Sequence, residues 1–506
     1  MVHRPSFGIT LDTSSQDPLF QQLFEQIAIR IHDGTLPSGF RLPPTRELAK
    51  DVGTHRNTVV RAYAELESAG FVRSTVGRGT FVERVRSTKA TSREPTGESH
   101  IPWASRLTSI AHAEGMHRPP PSALGSSREI IDLYRMQPSD DLLPHDNFRR
   151  CIDHVMRTRG AETMRYSPVE GVRRLRQAVV EDLTRQGVPI TEDDVLITNG
   201  SQQALDLLAR LLVEPDDAVG IDRAVYTGAS QAFIMARAKL IAIASDRQGM
   251  STARLAAYGR GDLRVVYTMP NQSNPTGARM SLERRKEILD WSRVTQTPLI
   301  EDDYAADLVL SDVPPPPALR ALDRDVLYVG TFSKRLMPGL RVGYIVAPPD
   351  VMRSLTAIKR GTDLSTSPLM QFALAEFLER GYLRAHLNRT LPIYRKKRDA
   401  LENALAKHLP KDVHFRHVEH GVTLWLELPA QVSADAIAAA AAREGVVVAA
   451  GTTFAVEHGP IHGLRIVFSR ESENRLIEAA KRLGQVLDKA LRAKTRTTEE
   501  SPALSP

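Results

Sequence analysis

The stretch VLYVGTFSKRLMPGLRVGY, residues 326–344, carries the most informative pattern in this sequence. Its apolar start, Val326–Val329, predicts a strand, which runs into a turn rich in Gly, Thr and Ser that contains Lys334. A single lysine is usually a solvated surface residue. Thr331 precedes this lysine and Arg341 follows it, and both side chains can bind a phosphate, arginine through two parallel hydrogen bonds. The stretch therefore predicts a functional lysine beside a phosphate site.

Strand and helix patterns alternate around this stretch from about residue 129 onward. Apolar runs such as LRVVYTM and LRVGYIVAP are typical of strands, whereas QQALDLLARLL and SLERRKEILDWSR have the apolar spacing of amphipathic helices. This alternation favours an α/β domain built on a largely parallel sheet.

Three consecutive acidic residues, Glu301, Asp302 and Asp303, end the apolar run PLI. Carboxylates at the end of an apolar strand are costly unless they are paired or functional. A carboxylate in such a position can keep the nitrogen of a bound pyridine ring protonated. The spacing alone does not show which of the three residues has this role. Tyr304 follows directly, and its hydroxyl can donate to the hydroxyl oxygen of the same ring.

A second phosphate-binding pattern lies in VLITNGSQQALDLLARLL, where a strand is followed by a turn and a helix. Gly200, Ser201 and Gln202 form that turn. Backbone N–H groups and the dipole at a helix start favour an anion. Alone, this pattern is a common helix start, but together with Lys334 and Asp302 it predicts a phosphate seat.

Three further side chains suit a ring-shaped cofactor and its ligand. Asn274, in the turn sequence NPTG, can donate its amide to a ring hydroxyl. Tyr226 can stack on the ring, although a role as a partly buried core tyrosine competes with that interpretation. Arg465, in the strand-like run GLRIVFS, can hold a carboxylate. A lysine, an acid, phosphate donors and a ring-hydroxyl partner are together what a pyridoxal 5′-phosphate (PLP) site requires.

The N-terminal region has a different pattern. Leu19, Leu23, Ile27 and Ile31 mark one face of a helix that stops near Gly34. The sequence predicts two more helices, over Thr45–Val52 and His55–Ala69, with Gly53 in the tight turn between them, and then strands Phe71–Arg73 and Thr80–Val82. Helix, turn and longer helix followed by a hairpin are typical of a winged helix-turn-helix.

The exposed residues of this motif predict an interaction with double-stranded DNA. The first turn of the third helix enters the major groove in this motif, and the residues there are Arg56, Asn57 and Thr58. Arg46 begins the second helix and Arg78 lies at the tip of the hairpin. Each could instead be a solvated polar residue, but that alternative explains the whole arrangement poorly. His55 is an unusual helix N-cap, so Thr54 could take the capping role.

Composition is that of an ordinary globular protein. The chain has 506 residues, 42% of them apolar, and a net charge of +7 that is compatible with nucleic acid without requiring it. One cysteine, Cys151, excludes an intrachain disulfide and a thiolate metal cluster, and we predict no metal. Without a signal-like or membrane-spanning stretch, the sequence predicts a soluble, cytoplasmic protein with no membrane partner.

Residue usage also divides the chain. We predict a DNA-binding domain over residues 15–83 and a linker rich in Ser, Arg, Pro and Gly over 84–128. An α/β domain over 129–490 and a disordered tail over 491–506 follow.

Both domains resemble known families. The run from Gly39 to Val82 resembles the GntR-type winged helix. Residues from about 130 to 490 resemble fold-type I aminotransferases with a small C-terminal α/β subdomain, through GSQQAL, SNPTG, EDDY, GTFSK, LRVGY and LRIVFS in that order. The combination resembles the MocR/GabR family of regulators.

The resemblance implies roles for these residues. It implies PLP bound to Lys334 as a Schiff base, with Asp302 as the acid at the pyridine nitrogen. It also implies a homodimer in which Tyr166, followed here by Ser167 instead of the usual Gly, reaches the phosphate of the neighbouring subunit.

The expected function is a PLP-dependent transcription regulator that binds a DNA operator and senses an amino compound or PLP itself. An active aminotransferase with an accessory DNA-binding domain is the alternative. A structural DNA-binding protein, in which the second domain only dimerises the chain, is disfavoured by the intact Lys334 and Asp302.

Overall fold

A computed structural model describes residues 8–13, 15, 17–75, 77–83, 102–112, 129–457 and 459–499. The chain divides into two compact units, Met1–Arg106 and Leu107–Pro506. Most of the predicted linker lies outside the described residues. The part that is described contains a short helix, Trp103–Arg106, and a 3-10 turn, Ser109–His112.

The N-terminal unit contains the predicted winged helix-turn-helix elements. They are α1 (Leu19–His32), α2 (Thr45–Asp51), α3 (Arg56–Ser68), β1 (Val72–Thr75) and β2 (Gly79–Val82), followed by the short α4 (Trp103–Arg106). On the predicted apolar face of α1, Leu23, Ile27 and Ile31 are buried and Leu19 is half-buried. Leu23 and Ile27 pack in one core with Val59 and Leu66 of α3. β1 and β2 pair antiparallel, with Val72 opposite Val82.

The start of α3 differs from the sequence expectation. The helix begins at Arg56 with His55 as its N-cap, and the His55 side chain makes no capping hydrogen bond. Thr54 therefore does not take the capping role; its backbone N–H donates to the carbonyl of Ala49 (2.9 Å) in the turn after α2.

The second unit is an α/β domain. Its helices are α5 (His145–Thr163), α6 (Arg173–Arg185), α7 (Ser201–Leu212), α8 (Thr227–Met235), α9 (Thr252–Leu255), α10 (Leu282–Thr295), α11 (Leu319–Leu322), α12 (Pro349–Asp363), α13 (Pro368–Glu379), α14 (Tyr382–His408), α15 (Ala434–Arg443) and α16 (Glu473–Glu499). Its strands are β3 (Ile131–Asp132), β4 (Val195–Thr198), β5 (Ala218–Asp222), β6 (Lys239–Ile243), β7 (Ser245–Asp246), β8 (Gly249–Met250), β9 (Val265–Thr268), β10 (Leu299–Asp303), β11 (Leu327–Thr331), β12 (Gly343–Val346), β13 (His414–Phe415), β14 (Thr423–Glu427), β15 (Val446–Val447), β16 (Ala449–Ala450) and β17 (Gly463–Val467).

The central sheet has seven strands in the order β4-β12-β11-β10-β9-β5-β6. Only β12 runs antiparallel to its neighbours, so the sheet is largely parallel, as the alternating pattern predicts. Every residue of β4, β10 and β11 is buried, which is typical of a sheet covered by helices on both faces. The carboxyl ends of these three strands carry the polar residues singled out in the sequence.

A smaller sheet, β13-β14-β17-β16, forms the C-terminal subdomain together with α15 and α16. The last helix runs from Glu473 to Glu499, so residues 491–499 of the predicted tail are helical rather than disordered. Residues 500–506 of that tail lie outside the described residues.

Candidate cofactor and DNA sites

Lys334 lies in the turn after β11, and its side chain is half-buried. Its Nζ donates to the carbonyl oxygen of Met136 (2.7 Å), which approaches from a distant part of the chain. Burial, and then the charges of Arg465 and Arg341, lower the pKa of Lys334 to about 8. An amine with a pKa lowered in this way is a suitable nucleophile for a carbonyl group.

The three acidic residues of β10 lie on different faces of the sheet, because successive side chains of a strand point to opposite faces. Glu301 accepts hydrogen bonds from the backbone N–H groups of Leu319 and Arg320 at the start of α11 (2.9 Å each). Asp303 accepts from the amide of Asn271 (2.8 Å) and from the hydroxyl of Tyr328 (3.0 Å).

Asp302 faces the opposite side of the sheet from Glu301 and Asp303. Its Oδ2 accepts a hydrogen bond from the hydroxyl of Tyr267 (2.8 Å). Its Oδ1 is buried and has no hydrogen-bond partner among the described residues. Burial, together with the nearby charge of Asp303, raises the pKa of Asp302 to about 7, although the Tyr267 hydrogen bond opposes this shift. An oxygen in this state can accept from a protonated ring nitrogen.

The phosphate-binding candidates meet between β4, β11 and β12. Gly200, with φ +85°, directly precedes α7, and a Cβ on this glycine would lie 2.8 Å from the guanidinium of Arg341. A Cβ on Gly343 would lie 2.7 Å from the carbonyl carbon of Gly200 and 2.9 Å from the backbone nitrogen of Ser201. Thr331 is buried at the end of β11, and its Oγ1 lies 3.1 Å from the Oγ of Ser333. The arrangement therefore brings Gly200, Ser201, Thr331 and Arg341 to one place.

Gln202 and Tyr226 contact each other beside this turn. The Gln202 amide donates to the carbonyl of Gly228 (2.8 Å), and the Tyr226 hydroxyl donates to the Gln202 carbonyl oxygen (3.3 Å). Burial raises the pKa of Tyr226, and Asp302 raises it further, whereas Arg341 and Arg465 lower it. Tyr226 therefore lies within electrostatic range of the acid and of both arginines.

Asn274 and Arg465 are brought together from positions 191 residues apart in the chain. Arg465 Nη1 donates to Asn274 Oδ1 (3.1 Å), and Nη2 donates to the carbonyl oxygen of Tyr134 (2.9 Å). The guanidinium lies 4.7 Å from the ring centroid of Phe454. Burial lowers the pKa of Arg465, and no carboxylate among the described residues pairs with it. Tyr304 is also buried, and burial raises its pKa. The charge of Arg465 opposes this shift, whereas the charge of Asp302 adds to it.

Tyr166 is not brought to the other candidates within this chain. Its side chain is 85% exposed and lines a groove of about 560 Å³ with Arg174 and Phe372. The neighbouring Ser167 adopts an ordinary backbone conformation. Its Oγ donates to the carbonyl of Thr366 (3.2 Å) and accepts from the amide of Gln371 (3.1 Å).

The DNA-binding candidates lie on the surface of the N-terminal unit. Arg56 and Asn57 are exposed in the first turn of α3, and Thr58 is half-buried beside them. Arg46 is exposed at the second residue of α2, and Arg78 is exposed in the turn of the hairpin. Arg56 Nε lies 3.5 Å from Thr45 Oγ1, so the first turns of α2 and α3 are adjacent.

Sequence reasoning missed several residues of this site: Tyr134, Met136, Tyr267 and Ser333. Met136 and Tyr134 act through backbone carbonyls, which leave no signal in side-chain patterns. Tyr267 lies in β9 and reads as an ordinary buried strand residue. Ser333 directly precedes Lys334 in the quoted stretch, so its position was a usable signal.

Two classes of site find no support among the described residues. No helix there is long and apolar enough to cross a membrane. No group of three or more His, Cys, Asp or Glu side chains within the described ranges is placed to hold a metal ion.

Comparison with known proteins agrees with the two-unit architecture. Residues 138–483 match the family model for aminotransferase class I and II, and residues 19–82 match that for bacterial regulatory proteins of the gntR family, which are DNA-binding. The chain is 30% identical over 441 residues to the "Probable rhizopine catabolism regulatory protein MocR" of Rhizobium meliloti, covering 87% of each protein. It is 32% identical over 424 residues to the HTH-type transcriptional regulator YisV of Bacillus subtilis, covering 81% of this chain and 84% of that protein.

Solved aminotransferases are similar to the second unit. LysN, an α-aminoadipate aminotransferase of Thermus thermophilus solved with N-(5′-phosphopyridoxyl)-L-leucine, matches with a TM-score of 0.71 at 29% identity, over 78% of this chain and 100% of that one. The kynurenine aminotransferase of Pyrococcus horikoshii matches with a TM-score of 0.69 at 30% identity, over 72% of this chain and 92% of that one. With a GntR domain joined to a fold-type I aminotransferase domain over nearly its full length, the chain belongs to the MocR/GabR family of GntR-type transcription regulators.

Proposed function

We propose that this regulator binds PLP at Lys334 and changes its action on DNA when an amino compound binds beside the cofactor. The observation that supports this most is Asp302 Oδ1, which is buried without a hydrogen-bond partner among the described residues, at a site that also contains the half-buried Lys334. A buried carboxylate oxygen without a hydrogen-bond donor is costly. A protonated pyridine nitrogen offers the missing donor.

The polar and aromatic residues around this oxygen match the chemical groups of PLP. Lys334 would hold the aldehyde carbon, and Asp302 would accept from the ring nitrogen. Asn274 and Tyr304 would contact the ring hydroxyl, and Tyr226 would cover the ring. The phosphate would bind the remaining set: Gly200, Ser201, Gln202, Thr331, Arg341 and, in addition to the sequence candidates, Ser333.

When it is bound, PLP supplies an electrophilic carbon and an electron-withdrawing ring. The chain's own residues orient the ligand. Arg465 is a buried cation with two hydrogen bonds to neutral oxygens, so it has donors left for a carboxylate. We therefore expect the effector to carry a primary amine for the cofactor and a carboxylate for Arg465.

A homodimer completes this proposal. The resemblance assigns Tyr166 to the neighbouring subunit's phosphate, and its 85% exposure is compatible with that assignment because the ring has little to contact in its own chain. Two chains would also present two winged helices to a DNA operator with repeated half-sites.

Arg56, Asn57 and Thr58 would read bases in the major groove, and Arg46 and Arg78 would contact phosphates or bases. The effector must bind two arrangements of the DNA-binding domains with different affinity if it is to change DNA binding. PLP itself is the other effector compatible with this site.

The visible absorption of the purified protein tests the proposal. Amino compounds are titrated against the PLP-loaded protein with and without a 2-oxo acid, and operator binding is measured in parallel. We expect a shift of the cofactor band that changes operator affinity without consuming the oxo acid. Lys334→Ala should lose the wild-type band; a variant that keeps this band would contradict the assignment of Lys334.

An active aminotransferase is the second candidate, because the residues proposed for PLP chemistry are intact. Steady consumption of the oxo acid in the same titration would favour it. Arg56→Ala separates the DNA function: it should weaken operator binding far more than binding to random duplex, whereas equal losses on both would mean that Arg56 contacts only phosphates.

A further inference from the structure

The carboxylate of Asp363 fixes the turn Asn199–Gly200–Ser201 through side-chain hydrogen bonds. Asp363 Oδ2, at the end of α12, accepts from the side-chain amides of Asn199 (2.6 Å) and Gln203 (2.7 Å). The carbonyl oxygen of the Gln203 side chain in turn accepts from the backbone N–H of Asn199 (2.7 Å). The backbone carbonyl of Asn199 accepts from Arg341 Nη2 (3.2 Å). Every polar group of Asn199 except its side-chain oxygen is therefore used to fix the turn.

Asp363 is itself held by a buried lysine. Its Oδ1 accepts from Lys359 Nζ (2.9 Å), and the Lys359 side chain is fully buried whereas that of Asp363 is 18% exposed. A buried ion pair contributes little to stability on balance, because desolvation offsets the attraction. A carboxylate in the last turn of a helix also opposes the helix dipole. The stability of α12 alone therefore does not account for Asp363.

The backbone after Asp363 is held in an uncommon conformation. Leu364 has φ +62°, which is unfavourable for a residue with a branched side chain and persists only where surrounding contacts impose it. Two residues later, the carbonyl of Thr366 accepts from the amide of Gln371 (2.7 Å) and from the hydroxyl of Ser167 (3.2 Å). The segment is therefore anchored at both ends, at the phosphate turn and beside Tyr166.

We propose that Asp363 is a positioning residue for the phosphate of the cofactor; this rests on the proposed PLP site. By fixing Asn199, it holds the backbone N–H groups that follow Gly200 and the Arg341 guanidinium in directions that converge on one anion. Asp363 does not touch the phosphate, and its own charge is matched by Lys359. Its removal should therefore weaken binding of the phosphate group while leaving the chemistry at Lys334 intact.

The test compares PLP with pyridoxal, which has the same aldehyde and ring but no phosphate. The full chain, stripped of cofactor, is titrated with each compound and followed by visible absorption. For Asp363→Asn we expect the dissociation constant for PLP to rise about tenfold to a hundredfold, as loss of a charge-assisted hydrogen bond would produce. The constant for pyridoxal should stay unchanged, and inorganic phosphate should compete more weakly with PLP than it does in the wild type.

Two further variants make the result interpretable. The double variant Lys359→Met with Asp363→Asn leaves no unpaired buried charge, so it serves if the single variant does not fold. Asp350→Asn is the matched control, because Asp350 lies on the same helix in an exposed ion pair with Arg353. This control should bind both compounds as the wild type does.

The outcomes separate this proposal from the one on which it rests. Equal weakening of PLP and pyridoxal would mean that Asp363 only supports the fold, and wild-type affinity for both would mean that it does not shape the seat; either overturns the positioning role. If wild-type protein and Lys334→Ala give the same spectrum with PLP, the proposed cofactor site itself fails.

Discussion

Replacing Arg465 with methionine should separate ligands by their carboxylate. Methionine fills similar space between Phe454 and Tyr134 without a charge, so the apo protein should remain folded. The guanidinium is buried and, among the described residues, donates to Asn274 Oδ1 and the Tyr134 carbonyl alone, so the variant loses two hydrogen bonds to neutral groups. It also loses the only cation that we propose for the ligand carboxylate.

The size of the effect follows from those contacts. Two charge-assisted hydrogen bonds to a carboxylate contribute at least about 3 kcal/mol together, which is about a 150-fold change in affinity. An amine that lacks the carboxylate makes neither bond, so its affinity should change by less than about threefold, or 0.7 kcal/mol. Removing the charge should also raise the pKa of Lys334, because Arg465 is one of the groups that lower it.

The assay is a spectral titration of the PLP-loaded protein with an amino acid and with the amine formed by its decarboxylation. Arg470→Met is the control, because Arg470 lies close in sequence but already pairs with Asp132 (3.0 Å). Arg465 does not hold the ligand carboxylate if Arg465→Met weakens binding of the amino acid and binding of the amine by the same factor. The same conclusion follows if Arg470→Met reproduces the selective loss of amino-acid binding.

Three further predictions concern the cap, the acid and the strand contact. His55→Ser should supply the missing N-cap of α3 and stabilise that helix by about 1 kcal/mol, seen as slower amide exchange in its first turn; unchanged exchange would mean that the cap is already satisfied. Burial raises the pKa of Asp302 from 3.8 to about 7, so the folded apo protein keeps a proton that the unfolded chain has released, and its stability should fall as pH rises across that window. Asp302→Asn should make this part of the pH dependence less steep, although Glu301 and Asp222, whose pKa values burial also raises, keep some of the slope. The slope is measured by denaturant unfolding of the PLP-free protein, and an unchanged slope would contradict the assigned pKa. Gly343→Ala should destabilise the protein by about 1–3 kcal/mol, because the new Cβ meets backbone atoms of Gly200 and Ser201. Gly361→Ala is the control: it lies in open space on α12, so this substitution should be neutral or stabilising. Equal effects of the two substitutions would contradict the close approach at Gly343.

Much of this molecule could be predicted from local pattern. The four-residue spacing of Leu23, Ile27 and Ile31 predicts the buried face of α1, and the predicted helix boundaries agree with the structure to within about two residues. The stretch around Lys334 predicts its strand and turn, because apolar β-branched residues and a Gly-Thr-Ser cluster act over a few positions. The family also follows from the order of short motifs, since each motif is local and their order is a property of the chain.

The choice among three neighbouring carboxylates required the tertiary structure. Glu301, Asp302 and Asp303 are equivalent in sequence, but the pleat of β10 directs the middle one away from the other two. The partners of the outer two come from α11, from β11 and from the loop after β9. Only the packed sheet decides which face each carboxylate occupies and which groups it meets, since Oδ1 of Asp302 and Oδ1 of Asp303 both have no hydrogen-bond partner among the described residues.

The sequence by itself therefore determined the family and the order of the main helices and strands, and it predicted candidate residues for the site. The tertiary structure decided which groups meet. Lys334 bonds a carbonyl 198 residues away, Arg465 an amide 191 residues away, and Asp363 an amide 164 residues away. Local helix and strand propensities act over a few residues and therefore do not predict contacts between residues so far apart in sequence. These contacts form only when the strands and helices between them have packed.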